Sequence, residues 1–411
     1  MNCLDLFSQQ FLSTIQQYSH IFIFGGGISG QWLTYQLRET NKLYSIIDND
    51  IKKKGIDFDG IHVITVDQIK DIEKDILSSS LLINTISDIQ ETWEQGQSFS
   101  FKEQIALGCY LNDDLIYSSR TWANENDNYG SGKFTAHSLE CAKYAHTAYF
   151  DKSGIFMRSL DLMVTERCSL KCTDCSNLMQ YYKKPVNEDV SSLISDLNLL
   201  LSNIDHLFEL RLIGGEPFVH NEIYQIIDIC TNYRQISKIS LYSNSTVKLD
   251  ISKLKSLGAK SEKLYFSITD YGQMSRNLKE NKQILDRLNI PYRSHEPEYW
   301  TDSGTIVYRN NTHDELVELF DECCGKNLLT LSESKLYRCP FAANLDRLRA
   351  IEDNSQNYLS LDAFDSASLN SYLNDISYLP ACNNCKGRSY DSDQIVPAIQ
   401  TRKPLEYSVL V

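Results

Sequence analysis

The sequence predicts an α/β protein in which two regions of alternating strands and helices precede a cysteine-rich C-terminal part. Strand-length apolar runs alternate with helix-like stretches between residues 20 and 110 and again between 159 and 288, an order typical of parallel sheets with right-handed crossovers. Eight of the twelve cysteines fall into two groups, one near the start of the second region and one after its end. The predicted domains are, in chain order, 1–110, a connector at 111–154, 155–314 and 315–411.

Composition and charge narrow the possible classes of function. The chain has 411 residues and a net charge of −14, and an acidic chain without long basic runs is a poor candidate for binding nucleic acid. It contains no apolar stretch of ~18 residues, so no transmembrane helix is expected. Met1–Gln10 lacks the basic region of a secretory signal. We therefore expect a cytoplasmic protein, in which twelve cysteines favour metal or redox chemistry over disulfides.

The first region contains a glycine-rich turn. His20–Phe24 is predicted to form a buried parallel strand, and Gly25–Gly30 and then a helix-like stretch at 31–40 follow it. The region resembles the compact Rossmann-like modules that accompany sugar-modifying transferases. Further strands are predicted at 42–47, 61–66 and 80–86.

The spacing Gly25-x-Gly27-x-x-Gly30 matches the dinucleotide-binding fingerprint, and Asp48, 18 residues beyond Gly30, could bind ribose hydroxyls. Backbone N–H groups at the start of the helix would then hold a phosphate. The same glycines also suit an accessory or docking domain, in which they only permit tight packing of the helix on the strand. Nucleotide binding by Gly25, Gly27, Gly30 and Asp48 is therefore one of two open alternatives.

The second region repeats a strand–helix unit of about 30 to 45 residues, which suits a full or partial (β/α) TIM-type barrel. The active site of such a barrel lies at the C-terminal ends of its strands. The strands are predicted at 160–165, 207–213, 239–242 and 264–268, and the helices at 190–202, 221–233, 251–257 and 275–288.

Cys168, Cys172 and Cys175 have the spacing C-x3-C-x2-C and lie just after the first strand of this region. Three thiolates on a short loop can hold three irons of a cubane cluster and leave the fourth iron open. A tetrahedral zinc site would need a fourth ligand nearby, and the sequence offers no obvious one. Three unrelated structural cysteines are the remaining alternative.

This motif resembles that of the radical S-adenosylmethionine (SAM) enzymes. In that family the open iron binds the methionyl amine and carboxylate of SAM, and electron transfer yields a 5′-deoxyadenosyl radical that abstracts a substrate hydrogen. The resemblance implies a [4Fe–4S] cluster, SAM as cofactor, and a flavodoxin- or ferredoxin-type electron donor as partner. The residue before the third cysteine is often aromatic in the family. It is Asp174 here, which leaves the packing on the adenine side open.

Two further elements of the second region fit the same family. Gly214-Gly215-Glu216-Pro217 follows the second strand and looks like the family's Gly-Gly-Glu-Pro element. The glycines let the backbone approach the ligand, and a carboxylate can accept hydrogen bonds from the methionyl ammonium. The residues implied in SAM binding are Gly214, Gly215, Glu216, Pro217, Ser243 and Asn244, the last two at the end of the third strand.

The second cysteine group consists of Cys323, Cys324, Cys339, Cys382 and Cys385. Four thiolates can close a zinc site or a [4Fe–4S] centre, and spacing does not separate the two. The group resembles the shortened auxiliary-cluster domain of radical SAM enzymes, called twitch, whose longer version is SPASM. We expect one auxiliary cluster held by Cys324, Cys339, Cys382 and Cys385, because a glycine after Cys324 permits a tight turn. The spare Cys323 is then a hydrogen donor or a small buried side chain.

The leading hypothesis is a radical SAM oxidoreductase or epimerase that acts on a small-molecule substrate such as a sugar, cyclitol or nucleotide-linked sugar. A glycine-rich α/β domain stands where peptide maturases often carry a peptide-binding segment, which favours this hypothesis. The alternatives are a SPASM-type maturase of ribosomal peptides, a non-catalytic iron–sulfur electron-transfer protein, and a NAD-dependent enzyme with structural zinc. Asp270 and Tyr271, just past the fourth strand, are candidate catalytic residues by position, together with Cys323.

Overall fold

The computed structural model describes residues 7–87, 89–111, 132–151, 154–389 and 392–408. Contacts within the chain divide it into two compact units, Met1–Gly154 and Ile155–Val411. Both units are α/β, which confirms the predicted fold class.

The first unit is built on a six-stranded sheet. Its strands are, in chain order, β1 (Ile21–Phe24), β2 (Leu43–Asp48), β3 (Asp57–Phe58), β4 (Ile61–Thr65), β5 (Leu81–Asn84) and β6 (Glu103–Ala106). They lie in the order β3–β4–β2–β1–β5–β6, and every pair is parallel except β3 with β4. The helices of this unit are α1 (Gln9–Gln16), α2 (Ile28–Leu37), α3 (Lys74–Leu77), α4 (Ile89–Gln97) and α5 (Gly132–Phe150).

Strand β1 is buried on both faces because successive side chains of a strand point in opposite directions. Ile21 and Ile23 belong to one apolar core, whereas Phe22 and Phe24 belong to the core on the other side. A parallel sheet that is covered on both faces requires such a continuous apolar run. This is why the sequence predicted the strand, while the short polar strands β3 and β6 were missed.

The second unit contains an eight-stranded sheet and a separate two-stranded ribbon. Its strands are β7 (Phe156–Thr165), β8 (His206–Gly214), β9 (Ile236–Ser243), β10 (Leu264–Thr269), β11 (Tyr292–His295), β12 (Trp300–Thr301), β13 (Thr330–Ser332), β14 (Lys335–Tyr337), β15 (Tyr358–Ser360) and β16 (Gln394–Ile395). The large sheet has the order β11–β10–β9–β8–β7–β13–β14–β15 and is parallel from β11 to β13. β14 and β15 are antiparallel additions, and β12 pairs with β16 in the ribbon.

Four helices follow the strands β7 to β10 and confirm the predicted partial barrel. Two of these helices begin at aspartates whose carboxylates cap free backbone N–H groups: Asp189 accepts from Ser192, and Asp250 accepts from Ser252. The barrel helices are α6 (Val190–Leu201), α7 (Ile223–Thr231), α8 (Ile251–Ser256) and α9 (Leu278–Arg287). The remaining helices are α10 (His313–Glu322), α11 (Pro340–Arg347) and α12 (Ser366–Asn374).

The parallel strands of the second unit have one apolar and one polar face. On β8, Leu210 and Leu212 join the large core that also includes side chains of α6 and α7. Glu209 and Arg211 alternate with them and therefore point to the opposite face. Across the described residues, no helix is both long and apolar enough to span a membrane.

Candidate functional site

The three-cysteine loop begins where β7 ends at Thr165. Cys172 is 8% exposed, and Cys168 and Cys175 are half-buried. Burial raises the pKa of all three thiols, to about 11 for Cys172, and the neighbouring Cys175 raises the pKa of both Cys168 and Cys172 further. The three side chains thus lie close enough to interact electrostatically, and binding of iron would displace their protons.

Amide groups donate hydrogen bonds to two of these sulfurs. The Gln400 Nε2 lies 3.2 Å from the Cys172 Sγ, and the Asn244 Nδ2 lies 3.8 Å from the Cys168 Sγ. Such donors stabilise the electron-rich sulfur of a metal-bound thiolate. The sequence predicts Asn244 as a SAM contact but predicts no role for Gln400, which lies more than two hundred residues away along the chain.

The Gly-Gly-Glu turn after β8 packs directly against this loop. Gly214 has a positive φ of 150°, and a Cβ on it would lie 2.0 Å from the carbonyl oxygen of Thr165. A Cβ on Gly215 would lie 2.2 Å from the carbonyl oxygen of Arg167 and 2.8 Å from the Cβ of Cys168. Both positions therefore require glycine, and their absent side chains let the turn approach the cysteine loop.

Glu216 ties the turn to the end of β9. Its carboxylate is fully buried and accepts hydrogen bonds from the backbone N–H groups of Asn244 (2.7 Å) and Phe218 (3.3 Å) and from the hydroxyl of Ser243 (3.0 Å). Burial raises the pKa of Glu216 to about 7, and the N–H of Asn244 opposes this rise. Three donors occupy most of the acceptor capacity of one carboxylate, so the structure gives Glu216 a positioning role in addition to its predicted contact with SAM.

The two candidate residues after β10 differ in their surroundings. Burial raises the pKa of the Tyr271 hydroxyl, and Cys172 and Cys175 raise it further, so the hydroxyl stays protonated at neutral pH. Its ring also packs edge-on against Trp300. Asp270 instead accepts a hydrogen bond from the N–H of Gly272 in its own turn, at 2.8 Å. Tyr271 therefore suits the role of a hydrogen-bond donor, and Asp270 suits the role of a proton acceptor.

The polar face of the barrel strands carries paired charges. The Arg211 Nε lies 2.6 Å from the Asp161 Oδ1, and the Lys238 Nζ lies 3.2 Å from the Glu209 Oε1. Burial raises the pKa of Asp161 to about 7, although Arg211 acts to lower it. The Arg211 guanidinium also interacts with the side chain of Tyr242. This face of the strands therefore carries buried charges that are paired with one another.

The second cysteine group lines one small apolar cavity. Its cysteines are Cys323, Cys339, Cys382 and Cys385. Burial raises the pKa of Cys339 to about 11 and of Cys385 to about 12, and the Cys323 thiol raises both further. Three of the sulfurs also accept backbone N–H groups at 3.3–3.4 Å, as expected for thiolate ligands of a cluster.

The structure places Cys323, and not the predicted Cys324, with the other three cysteines. The side chain of Cys324 is exposed, and its backbone N–H donates to the carbonyl oxygen of Arg388. The physical reason is the end of α10: Cys323 is the C-terminal capping residue, and its sulfur accepts the N–H of Gly325 at 3.3 Å. The glycine that suggested Cys324 as a ligand therefore serves the preceding cysteine.

The N-terminal glycine turn is closed by groups of its own unit. A Cβ on Gly30 would lie 1.7 Å from the carbonyl oxygen of Gly25, so Gly30 permits close packing of α2 on the turn. The Asp48 carboxylate accepts from the N–H of Gly26 at 2.7 Å and from the Lys53 Nζ at 2.9 Å. Gly27 faces open space. Nucleotide binding at this turn remains a prediction.

The donor set fits an iron–sulfur cluster at each cysteine group. Each group offers buried thiols that interact with one another and that accept N–H donors, and the first group also has a glycine cradle beside it. Within the described residues, no three Cys, His, Asp or Glu side chains are grouped closely enough to hold a single metal ion.

Curated proteins match part of this chain. The chain is 24% identical over 181 residues to a GTP 3′,8-cyclase of Campylobacter jejuni, covering 42% of this chain and 53% of that protein. It is 28% identical over 136 residues to a GTP 3′,8-cyclase of Clostridium acetobutylicum, covering 31% and 42%. The chain spans about half the length of the curated relatives it matches. No family model matches the chain.

Solved structures match the chain only loosely. A crystal structure of BtrN in complex with AdoMet and 2-DOIA aligns with 61% of this chain and 98% of its own, at 12% identity and a TM-score of 0.38. A structure of RSP in complex with beta-NADH aligns with 28% of this chain and 65% of its own, at 18% identity and a TM-score of 0.21. Such TM-scores carry no argument about activity. The relatives and the site together confirm the resemblance of this chain to radical SAM enzymes.

Proposed function

We propose that this chain is a radical SAM enzyme of the oxidoreductase or epimerase class that acts on a small polar substrate. The observation that carries the proposal is the packing of the three-cysteine loop against the Gly-Gly-Glu turn, at the C-terminal ends of β7 and β8. When bound, a [4Fe–4S] cluster and SAM supply a 5′-deoxyadenosyl radical. The protein supplies binding, orientation and exclusion of water.

The residues around the loop divide this work. Cys168, Cys172 and Cys175 hold the cluster, and their incomplete set leaves one iron for the amine and carboxylate of SAM. Gly214 and Gly215 keep the backbone free of side chains at the point of closest approach. Together with Pro217, which begins the short helical turn after Glu216, these residues form one wall of the proposed SAM site. Ser243 and Asn244, held by Glu216, form the neighbouring wall.

The charged inner face of the barrel supports a polar substrate. The pairs Asp161–Arg211 and Glu209–Lys238 lie on strands that carry the site at their C-terminal ends. A substrate with several hydroxyl groups, such as a sugar, cyclitol or nucleotide-linked sugar, offers acceptors to the buried Arg211 guanidinium and donors to the carboxylates. An apolar substrate would offer these groups no hydrogen-bond partner.

The second cysteine group is proposed to hold an auxiliary [4Fe–4S] cluster with four protein ligands, Cys323, Cys339, Cys382 and Cys385. Four thiolates satisfy all four irons and leave no position for the substrate. A dehydrogenation removes a hydrogen atom from the substrate and then one electron and one proton. The auxiliary cluster would be a suitable acceptor for that electron. Asp270 is the candidate for the proton, because the hydroxyl of Tyr271, whose pKa burial raises, already carries one.

Two partners complete the proposal. A flavodoxin- or ferredoxin-type donor supplies the electron that starts each turnover, because SAM cleavage consumes one. The N-terminal unit is proposed to bind a nucleotide, such as the nucleotide part of the substrate, at Gly25, Gly27, Gly30 and Asp48.

The central test is anaerobic reconstitution of the full chain with iron and sulfide, followed by addition of SAM and reductant. We expect about eight iron atoms per chain and formation of 5′-deoxyadenosine. A panel of sugars, cyclitols, nucleotide sugars, GTP and peptides, tested in deuterated form, should transfer deuterium to 5′-deoxyadenosine from the true substrate. Zinc without iron in reconstituted protein, or an absence of 5′-deoxyadenosine with both clusters present, would contradict the proposal.

The electron-acceptor role has a separate test in the double variant Cys382→Ala/Cys385→Ala. We expect this variant to cleave SAM but to form no oxidised product. Product formation at the wild-type rate by a stably folded variant would remove the auxiliary cluster from the reaction and favour a redox-neutral epimerisation.

A further inference from the structure

The chain that follows the last cysteine returns to the three-cysteine loop and pairs with it. The N–H of Thr173 donates to the carbonyl oxygen of Ile399 at 2.7 Å, and the N–H of Thr401 donates to that of Lys171 at 2.8 Å. These bonds flank an antiparallel bridge between Cys172 and Gln400. The C-terminal tail, residues 394–408, therefore places one residue directly opposite the middle cysteine of the motif.

Both the oxygen and the nitrogen of the Gln400 side-chain amide form hydrogen bonds to the three-cysteine loop. Its Oε1 accepts the backbone N–H of Lys171 at 2.7 Å, and its Nε2 donates to the Cys172 Sγ at 3.2 Å and to the carbonyl oxygen of Ala398 at 2.8 Å. If the amide oxygen and nitrogen of Gln400 were exchanged, the NH₂ group would face the N–H of Lys171, and both are donors. The amide oxygen would then face the carbonyl oxygen of Ala398, and both are acceptors. The hydrogen bonds thus fix the orientation in which the NH₂ group faces the sulfur.

The tail is held in place by contacts that do not involve Gln400. On one side, Ile395 of β16 pairs with Trp300 of β12. On the other side, the N–H of Leu405 donates to the carbonyl oxygen of Gln180 at 2.9 Å. The Tyr407 hydroxyl donates to the carbonyl oxygen of Leu348 at 2.6 Å. A substitution at Gln400 should therefore change the contact with sulfur without releasing the tail.

We propose that Gln400 is a positioning residue of the radical SAM cluster, whose amide orients Cys172 and makes the reduction potential of the cluster less negative. The proposal rests on the function proposed above, because it requires a cluster on the three cysteines. Reduction adds negative charge to the cluster and its sulfurs, so a hydrogen bond from an amide N–H stabilises the reduced state more than the oxidised state. Cys172 is nearly buried, which strengthens this effect because little water competes for the sulfur.

The test compares Gln400→Glu, Gln400→Leu and the control Ile399→Ala in the full reconstituted chain. Gln400→Glu retains an acceptor for the N–H of Lys171 but places a carboxylate oxygen against the sulfur. Gln400→Leu removes both polar contacts. Ile399 is 52% exposed and next to Gln400 in the tail, so its truncation tests whether any change in the tail has the same effect.

The measurement is the midpoint of an EPR-monitored redox titration of the cluster whose spectrum changes on addition of SAM. We expect more negative midpoints for Gln400→Glu and Gln400→Leu, with the larger shift for Gln400→Glu, and the wild-type midpoint for Ile399→Ala. Equal midpoints in all four proteins at full iron content would overturn the inference, as would an equal shift in Ile399→Ala.

The outcomes also separate this inference from the proposed function. If wild type takes up no iron, both fail. If wild type carries both clusters and the midpoints coincide, only the role of Gln400 fails. Should Gln400→Glu bind too little iron for titration, the midpoint of Gln400→Leu decides by the same criterion.

Discussion

Each unit of this chain places a glycine-rich turn after a buried parallel strand, but the two turns are bonded differently. In the first unit, the N–H of Gly26 donates to Asp48, whose carboxylate also accepts from Lys53. In the second unit, Glu216 lies within the turn itself and accepts from Asn244 at the end of the neighbouring strand. The first turn is thus hydrogen-bonded to an aspartate that is itself paired with a lysine. The second turn instead joins the ends of two strands beside three thiols.

The comparison shows that glycines alone do not define a functional site. A Cβ on Gly30 would lie 1.7 Å from a carbonyl oxygen, and a Cβ on Gly215 would lie 2.2 Å from one. Both positions need glycine for the same steric reason. The two positions differ in the elements that the close approach brings together. In the first unit these are a helix and a turn, and in the second unit they are the Gly-Gly-Glu turn and the cysteine loop.

The largest expected effect comes from removing the thiols that distinguish the second turn. The triple variant Cys168→Ala/Cys172→Ala/Cys175→Ala should retain about four of about eight iron atoms and should form no 5′-deoxyadenosine. Iron and sulfide analysis after anaerobic reconstitution measures the first outcome, and chromatography measures the second. Full iron content in the variant would show that these cysteines do not hold a cluster.

A matched pair of variants tests whether Cys323 or Cys324 is the fourth ligand at the second cysteine group. Cys323→Ala should lose the auxiliary cluster, about four iron atoms, because Cys323 lies in the shared cavity. Cys324→Ala should keep it, because the Cys324 side chain is exposed. Iron analysis and Mössbauer spectra of the two variants decide between them, and the reverse result would restore Cys324 as the ligand.

A second pair of variants tests the glycine-rich turn of the first unit. Gly30→Ala should lower the free energy of unfolding by about 3 kcal/mol or more, because its Cβ would meet the carbonyl oxygen of Gly25. Gly27→Val should change it little, because that position faces open space. Urea unfolding measures the free energy of unfolding of both variants.

Because Gly27→Val should fold, it also serves as a control for nucleotide binding. A nucleotide or nucleotide sugar that raises the melting temperature of wild type but not of this variant would establish binding at this turn. An absence of any shift in wild type would favour the docking alternative.

The bridging carboxylate of the second turn has its own test. Glu216→Gln should weaken SAM binding by about 1.5–3 kcal/mol, the range for a hydrogen bond to a charged group. The amide NH₂ also cannot accept from Asn244 or Ser243, so the strand end loses part of its support. Equilibrium binding of SAM to the reconstituted variant measures the effect, with iron content as the control. Unchanged SAM affinity would limit Glu216 to a structural role.

The smallest expected effect is an opposite response of the two units to pH. Burial lowers the pKa of His146, in the first unit, to about 4 from a usual 6.5, so its neutral form stabilises the fold and this stability is lost as pH falls from 6.5 towards 4. At about pH 5.5 the loss should be about 1 kcal/mol. Burial raises the pKa of Glu216 to about 7 from 4.5, so its contribution is lost as pH rises through that range.

Hydrogen exchange in the cluster-free chain can follow both groups, after correction for intrinsic exchange rates. The Gly108 N–H donates to His146 at 2.8 Å, and the Asn244 N–H donates to Glu216 at 2.7 Å. Protection at Gly108 should fall towards acid pH, and protection at Asn244 should fall towards neutral pH. His146→Gln should flatten the first profile only, and parallel profiles in wild type would contradict the assignment.

The α/β class, the alternation in each unit and the three-cysteine motif could all be predicted from local patterns in the sequence. These features are local: a buried parallel strand must be apolar throughout, as in Ile21–Phe24, and the three cysteines and the Gly-Gly-Glu turn are each recognised by spacing within a few residues. Strands such as Glu103–Ala106 have no such signature, because their pairing with β5 and not their composition makes them strands.

Contacts between groups that are far apart in the sequence became known only from the three-dimensional fold. The fold places Cys323, and not Cys324, in the cavity with the other three cysteines, because the end of α10 turns one thiol into the cavity and leaves its neighbour exposed. It showed that Glu216 holds the end of β9, because parallel strands bring their C-terminal ends to the same edge of the sheet. It also placed Gln400 on Cys172 through a tail that returns from the far end of the chain. Such contacts depend on the path of the backbone in space, and residue spacing carries no information about that path.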